Sequence, residues 1–257
     1  MKTDKGIHWD KAWSLIDGCT PVSAACDNCR LKAMPERFGN KTFDIPRLRA
    51  DRLDIPLKTK KPTVFAIWSD LFHESVPADF IIDAFEVMDA CSGEKILTPN
   101  GYKTYPRHTF LICTKRPERL ESVLYGQEGS YYLGGGDEIP QNVYLGATIE
   151  NQKWADERIP HLLKIEGKKW LSVEPLIEKI YIETYLSKGI SQVIVGAESG
   201  HHRRECKIEW IESIVEQCKA AGVPCFVKQI HLNGKLIKDI NQFPESVRVR
   251  ELAWMHD

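Results

Sequence analysis

Three cysteines near the start of the chain are the residues with the clearest capacity for chemistry. Cys19, Cys26 and Cys29 are separated by six and then two residues. A pair with two intervening residues is typical of a redox dithiol or of half a zinc site, whereas an iron–sulfur cluster is held by several cysteines of one short loop. A four-iron cluster on three thiolates would keep one iron open to a substrate or cofactor.

The alternatives to a cluster remain open on spacing alone. A redox dithiol would use Cys26 and Cys29 and leave Cys19 without a role. A structural zinc ion would need a fourth protein ligand from outside this loop. Three residues are candidates for that ligand: His201, His202 and Cys206. The spacing favours the cluster, then zinc, then inert thiols.

The composition is that of a globular protein of ordinary charge. The chain has 257 residues, of which 28% are charged, and a net charge of −1, so a nucleic-acid partner is neither required nor excluded. The first residues lack the apolar core of a signal peptide, and no apolar run approaches the roughly 20 residues that span a bilayer. We therefore expect a cytoplasmic protein with reduced cysteines and no membrane partner. Four cysteines in apolar surroundings are expected to lie in the core: Cys91, Cys113, Cys218 and Cys225.

Short apolar segments alternate with helical patterns along the chain. The segments are continuously apolar, which is typical of strands covered on both faces. Strands are predicted at 63–69, 108–114, 142–149, 169–173, 192–197 and 224–229, after a weaker one within 6–16. Helices are predicted at 78–91, 117–125, 152–163 and 208–221. This order predicts an α/β protein with a parallel β/α barrel, and no boundary divides residues 1–257 into more than a single domain.

A charged residue follows each predicted strand. These residues are Asp70, Lys115, Arg116, Glu150, Glu174, Glu198 and Lys228. Because the carboxyl ends of parallel barrel strands meet at one mouth, we expect them to share a site with the cysteine loop. The alternative is that they form structural ion pairs between neighbouring strand ends, such as Lys115 with Glu150.

Three further stretches have a simpler interpretation. The basic segments 47–61 and 201–204 are either solvated surface or contacts to phosphates. The glycine-rich segment 126–141 does not match a phosphate-binding fingerprint and is expected to be a loop.

Seven blocks of the sequence, taken together and in order, resemble one known family. The blocks are GCTPVSAACDNC, IWSDLFH, CTKRPERL, VYLGATIENQ, LSVEPL, VIVGAESG and AGVPCFVKQ. They resemble the phage-associated three-cysteine family of radical S-adenosylmethionine (SAM) proteins. The resemblance implies a partial parallel β/α barrel of the radical SAM type, with a 4Fe-4S cluster on Cys19, Cys26 and Cys29 and SAM on the fourth iron.

The motif departs from the common radical SAM pattern in three respects. Its first interval is longer, and Asn28 and Arg30 occupy positions where an aromatic residue is usual. Adenine packing must then come from elsewhere, with Trp13, Trp68 and Phe72 as candidates. The residues expected to bind the cofactor are Trp68, Ser69, Asp70, Glu150 and Glu198.

Some phage members of this family resemble isomerases of thymine hypermodification, which convert a glycine joined to thymine through nitrogen into one joined through its α-carbon. The resemblance implies that the substrate is a modified thymine in DNA or a nucleotide, that an electron donor such as flavodoxin is a partner, and that the host cytoplasm is the location. Lys115, Arg116, Glu174 and Lys228 are the expected catalytic residues. The alternatives are a radical SAM enzyme for RNA or a peptide, and a zinc-stabilised, non-catalytic barrel that binds nucleic acid.

Overall fold

The computed structural model describes residues 3–29, 31–32, 43–126, 139–200 and 202–255. The strands are β1 Lys11–Trp13, β2 Ile16–Asp17, β3 Arg47–Leu48, β4 Val64–Ile67, β5 Lys95–Thr98, β6 Gly101–Thr104, β7 Thr109–Thr114, β8 Val143–Thr148, β9 Lys168–Val173, β10 Ile190–Val195, β11 Cys225–Val227, β12 Ile230–Leu232 and β13 Lys235–Ile237. The helices are α1 Ile55–Lys58, α2 Ala78–Ala90, α3 Glu118–Leu124, α4 Gln152–Leu163, α5 Glu183–Leu186 and α6 Ile208–Ala221.

A seven-stranded parallel sheet organises the fold. Its strand order is β1-β4-β7-β8-β9-β10-β11, and every neighbouring pair is parallel. Helices lie between consecutive strands of this sheet, as crossover connections require. The predicted α/β class with parallel strands is confirmed.

The sheet is curled into a half-barrel. The segment before β1, at one edge, contacts β11 at the other edge and residues that follow it. Trp254 Nε1 donates to the carbonyl oxygen of His8 at 3.2 Å. The His8 ring also packs edge-on against Phe226 of β11, with 5.8 Å between ring centroids. The carboxyl-terminal segment thus lies between the two edge strands.

The concave side of the sheet is filled by alternate residues of successive strands. This cluster contains Val64, Leu111, Tyr144, Trp170, Ile194, Phe226, Leu252 and Trp254. The intervening strand residues pack against the helices on the convex side. Gly146 on β8 makes room for the Trp170 indole, since a Cβ there would lie 2.4 Å from it. Because side chains alternate along a strand, a polar residue two positions after one of these cluster residues also faces the concave side, at the carboxyl end of the strand.

Local signals place the helix ends close to their predicted positions. The Asn151 side chain accepts a hydrogen bond from Trp154 N and caps α4. Helix α6 ends at Gly222, whose φ of 67° is left-handed. The weak strand predicted within 6–16 corresponds to β1, which is shorter than expected and covers only Lys11–Trp13. Most of the predicted loop 126–141 lies outside the described residues, as does His201 of the basic segment 201–204. No helix in the described part of the chain is long and apolar enough to cross a membrane.

Candidate functional site

A cavity of about 610 Å³ opens at the carboxyl end of the parallel sheet. Its size is that of a small-molecule site. The predicted site residues that line it are Cys19, Cys26, Cys29, Trp68, Ser69, Asp70, Lys115, Arg116 and Lys228. The tertiary structure therefore brings the cysteine loop together with the residues that follow β4, β7 and β11, as the sequence predicts.

The three predicted ligands are half-buried free thiols on one wall of this cavity. Cys26 N donates to Ser23 O at 2.8 Å, and Cys29 N donates to Cys26 O at 3.2 Å, so a tight turn holds the second and third thiols. Burial and, secondarily, the Asp70 charge raise the pKa of the Cys19 thiol to about 11. Within the described ranges, no three His, Cys, Asp or Glu side chains form a group that could hold a metal ion.

The first thiol is held in place by Arg116. The Arg116 Nη1 atom lies 3.0 Å from Asp70 Oδ2 and 4.0 Å from Cys19 Sγ. Its Nη2 donates to both oxygens of Thr20, at 3.3 Å to the carbonyl and 2.8 Å to the hydroxyl. Nε pairs with Glu74 at 2.6 Å. Every nitrogen of this guanidinium is therefore engaged.

The carboxylate of Asp70 is also fully engaged in hydrogen bonds within the protein. It accepts hydrogen bonds from the Thr114 hydroxyl at 2.6 Å and from the backbone N–H groups of Phe72 and Lys115, in addition to Arg116. Four donors fill the acceptor positions of a carboxylate. Asp70 thus joins the ends of β4 and β7 beneath the cysteine loop.

The second half of the cysteine loop is fastened by Glu198 and Arg204. Arg204 donates through Nε to Glu198 Oε2 at 3.0 Å and through Nη2 to Ala24 O at 2.8 Å. Asn28 Nδ2 donates to Glu198 Oε2 at 3.0 Å, and Asp27 lies 3.6 Å from Arg204 Nη1. Burial would raise the pKa of Glu198, but the hydrogen bonds from Arg204 and Asn28 lower it on balance.

Lys228 and Glu174 form an ion pair at the far side of the cavity. Lys228 Nζ lies 2.8 Å from Glu174 Oε2, and the buried Gln229 amide donates to Glu174 Oε1 at 2.7 Å. Burial would raise the pKa of Glu174, but the Lys228 charge and these hydrogen bonds hold it below its usual value. Lys228 lines the cavity, whereas Glu174 is not among its lining residues.

Glu150 is the predicted site residue furthest removed from solvent. It is fully buried and pairs with Arg158 of α4 at 2.8 Å, and it does not belong to the cavity lining. The ion pair considered at the sequence level, Lys115 with Glu150, is not formed. Structural ion pairs thus account for all four strand-end carboxylates: Asp70, Glu150, Glu174 and Glu198.

Lys115 differs from its neighbours because its ammonium group makes no hydrogen bond or ion pair with the residues that the structure describes. Burial would lower the pKa of Lys115, but electrostatic attraction to Glu150 and to the thiolate forms of Cys26, Cys113 and Cys29 raises it on balance. Its side chain also lines a neighbouring cavity of about 540 Å³. Lys115 is therefore available to a ligand.

Trp68 and Ser69 follow β4 directly and face the cavity. Ser69 has a φ of 66°, an unusual left-handed conformation for a residue with a side chain. The other two aromatic candidates for adenine packing are placed elsewhere, because Trp13 and Phe72 are fully buried in the core. Trp68 is the one of the three that lines the cavity.

Some predictions about single residues are corrected by the fold. Cys91, Cys218 and Cys225 are buried as expected, but Cys113 is half-buried and lines the cavity, with its Sγ 3.3 Å from Thr148 Oγ1. Cys206, a proposed fourth zinc ligand, lines a separate cavity of about 810 Å³. An apolar sequence context does not show which face of a strand a cysteine occupies.

The basic segment 47–61 is partly neutralised by its own neighbours. Arg49 pairs with Asp17 and Asp51 at 2.8 Å each, Arg52 lies 3.5 Å from Asp17, and Lys58 pairs with Asp54. In the segment 201–204, Arg203 donates to backbone carbonyls, and Arg204 binds Glu198. Both segments therefore use several of their charges within the fold.

Two cavity lysines were not singled out at the sequence level. Lys5 precedes β1 and Lys238 follows β13, and both line the cavity. No strand-end signal marks them, because they lie outside the apolar runs.

Residues 4–239 match the model of a family described as "Protein of unknown function (DUF5131)". The chain belongs to this family. The DUF5131 match includes the three cysteines and every cavity residue named above, from Lys5 to Lys238. No curated protein and no solved structure matches the chain.

Proposed function

We propose that this protein is a radical SAM enzyme whose 4Fe-4S cluster is held by Cys19, Cys26 and Cys29. The observation that carries the proposal is that these three free thiols line one cavity at the carboxyl end of a parallel α/β sheet, where enzymes of such folds place their sites. In the proposed cluster each of the three thiolates would bind a different iron, and the fourth iron would stay open to SAM.

When bound, the cluster and SAM supply hydrogen-atom abstraction from an unactivated carbon. The chain itself supplies the ligands, a rigid loop and a shaped cavity. Arg116 and Arg204 hold the two halves of the cysteine loop, so the thiols stay on one wall. Of the predicted cofactor set, Trp68, Ser69 and Asp70 line the cavity, and the Asp70 carboxylate is already engaged within the fold.

The proposed reaction is the isomerisation of N-linked to C-linked glycinylthymidine. The bond from the thymine methyl carbon to the glycine nitrogen breaks, and a bond from the same carbon to the glycine α-carbon forms. One hydrogen of the α-carbon is replaced, and the nitrogen gains one hydrogen, so the reaction involves no net oxidation. Among the three predicted catalytic cations, Lys115 is the one that would hold the substrate carboxylate, since Arg116 is fully engaged and Lys228 is paired with Glu174.

The experiment is anaerobic purification or reconstitution of the full chain, followed by iron and sulfide determination and visible absorption. We expect about four irons per chain and a brown protein. Dithionite, in place of the physiological electron donor, together with SAM should then yield 5′-deoxyadenosine. Product analysis on DNA or nucleotides that carry the N-linked glycine tests the specific reaction.

The matched control uses a cysteine of the same cavity that is not a proposed ligand. Cys26→Ala should abolish iron uptake and SAM cleavage, whereas Cys113→Ala should retain both. A colourless protein with one zinc per chain, or equal loss in both variants, would contradict the proposal. The first of those results would support a zinc-stabilised barrel.

A further inference from the structure

A second cavity, of about 540 Å³, opens between α3 and α4 beside the cavity that contains the three cysteines. We call the new one the helix cavity and the other the cofactor cavity. Glu118 of α3 and Trp154, Glu157 and Arg158 of α4 line the helix cavity, and Lys115 lines both cavities. The proposed cluster and SAM would occupy the cofactor cavity, so the helix cavity is the neighbouring space for a substrate.

Arg158 is the buried charge of the helix cavity. Its side chain is 1% exposed, and its Nη1 donates to Thr148 O at 2.7 Å and to Glu150 Oε2 at 2.8 Å. Its Nε and Nη2 are also buried, and they have no hydrogen-bond partner among the described residues. Buried donors of a charged group are costly to leave without a partner, so they indicate the place of a ligand, an ion or an ordered water.

The indole of Trp154 covers this guanidinium. The Arg158 Cζ atom lies 4.0 Å from the centroid of the ring, and Trp154 is half-buried. Trp154, Glu157 and Arg158 are three and four residues apart on α4, so their side chains lie on one face of the helix. The indole therefore shields the two unpartnered donors from water, and a ligand reaches them when the indole turns aside.

The other cations of the helix cavity are already engaged, apart from Lys115. Arg116 pairs with Glu74 at 2.6 Å, and Arg119 donates to two backbone carbonyl oxygens. Lys115 and the Nε–Nη2 edge of Arg158 are thus the groups that an anion can use. This edge offers two parallel N–H groups, which match the two oxygens of one carboxylate.

Two exposed carboxylates of the lining, Glu118 and Glu157, limit the kind of anion that the helix cavity accepts. They repel a second negative charge, such as that of a phosphate, and attract an amine. The arrangement therefore favours a ligand that carries one carboxylate beside one amine, as the glycine end of the proposed substrate does.

We infer that the helix cavity binds the glycine end of the substrate, with the carboxylate on Arg158 and Lys115. This inference rests on the proposed function, because it assigns the binding site of the substrate in the same reaction. The carboxylate accepts from Nε and Nη2 of Arg158, and the amine lies on the side of Glu157. Because Lys115 lines both cavities, the glycine α-carbon lies at the boundary with the cofactor cavity.

The test is calorimetric titration of the purified full chain with two nucleosides that differ in one group. The first is thymidine with a glycine joined to its methyl carbon through nitrogen, and the second has glycinamide in that place. The glycine compound should bind roughly tenfold more tightly or more, since hydrogen bonds between charged groups are stronger than those to a neutral amide. Lys115→Ala should remove much of this preference. Equal affinity of the wild type for both compounds would overturn the inference.

The contribution of Arg158 is measured in Glu150→Met/Arg158→Met, because loss of one partner alone would leave a buried charge unpaired. This double variant should bind the glycine compound no more tightly than the glycinamide compound. The matched control is Lys164→Ala, which removes an exposed cation after α4 and outside the helix cavity, and it should keep the wild-type preference. An unchanged preference in the double variant, or equal loss in Lys115→Ala and Lys164→Ala, would contradict the assignment.

Methionine serves as a competitor, because it is the amino-acid end of SAM. It should not displace the glycine compound. Displacement by methionine that is lost in the double variant would assign Arg158 to the cofactor and overturn the inference.

These measurements need neither cluster nor SAM. A chain that binds the glycine compound through Arg158 but takes up no iron would overturn the proposed function alone. A chain that forms the cluster and cleaves SAM, with no preference for the glycine compound, would overturn the carboxylate site alone.

Discussion

Arg116 and Asp70 form a buried ion pair, with 3.0 Å between Nη1 and Oδ2, directly beside the sulfur of Cys19. Both residues were expected to contact substrate or cofactor, but they satisfy each other and hold the cysteine loop. Their position explains how a loop that follows the short strand β2 keeps a thiol at a fixed place in the cavity. They are positioning residues.

Replacement of Arg116 by Lys should destabilise the fold, because one ammonium group cannot reach Asp70, Thr20 and Glu74 together. We expect the free energy of unfolding to fall by about 1–3 kcal/mol. The control is Lys115→Ala, which removes a side chain without such partners and should change stability by less than about 0.5 kcal/mol. Urea unfolding measures both, and equal losses would contradict the assignment.

Replacement of Arg204 by Ala should loosen the second half of the cysteine loop. The buried Glu198 carboxylate would lose its cation, and Ala24 O would lose its donor, at a cost of about 2–4 kcal/mol. We expect Cys26 and Cys29 to react faster with iodoacetamide, as peptide mapping would show. Arg203→Ala, which removes contacts to Gly200 O and Gly234 O instead, should leave their rates near those of wild type.

Replacement of Glu150 by Gln should leave the Arg158 charge buried without its carboxylate, because the two side chains are 0% and 1% exposed. The expected cost is about 3–5 kcal/mol, and Glu150→Met/Arg158→Met should recover a large part of it. Glu157→Gln, on the exposed side of the same helix, serves as control. Additive losses in the double variant, seen by denaturant unfolding, would show that the pair is not coupled.

Acid should destabilise the protein through His8. Burial and, secondarily, the Lys228 charge lower the pKa of His8 from 6.5 to about 3. The unfolded chain takes up this proton near pH 6.5 and the folded chain only near pH 3, so stability is present above that window and lost as the pH falls through it. The slope approaches about 1.4 kcal/mol per pH unit.

His8→Phe retains the ring that packs on Trp170 and Phe226 and removes the titrating group. We expect a flatter dependence of unfolding free energy on pH between 6.5 and 3, measured by urea unfolding at several pH values. His161→Phe, a change on α4, should keep the wild-type slope. An unchanged slope in His8→Phe would contradict the account.

The positions of the strands and helices could be predicted from the sequence because they depend on local signals. The apolar run before Asp70 predicts β4, and the stop signal at Gly222 marks the end of α6. The polar residue after each strand also follows from the sequence, and with parallel strands it predicts a shared mouth. Cys19, Cys26 and Cys29 were placed at that mouth on these grounds, and they lie there.

Which charge pairs with which was decided by the tertiary structure alone. Asp70 and Arg116 are 46 residues apart, and Glu174 and Lys228 are 54 apart, so each pairing depends on strand register. The same register turns Cys113 into the cavity and Glu150 away from it.

The cavity lining depends on the fold even more strongly. Lys5, Lys228 and Lys238 line one cavity because Arg250 joins the backbone of their three segments. The sequence by itself determined the local elements and the chemical types at their ends, since those depend on neighbouring residues. The tertiary structure determined which side chains remain available to a ligand, because that depends on contacts between residues far apart in the chain.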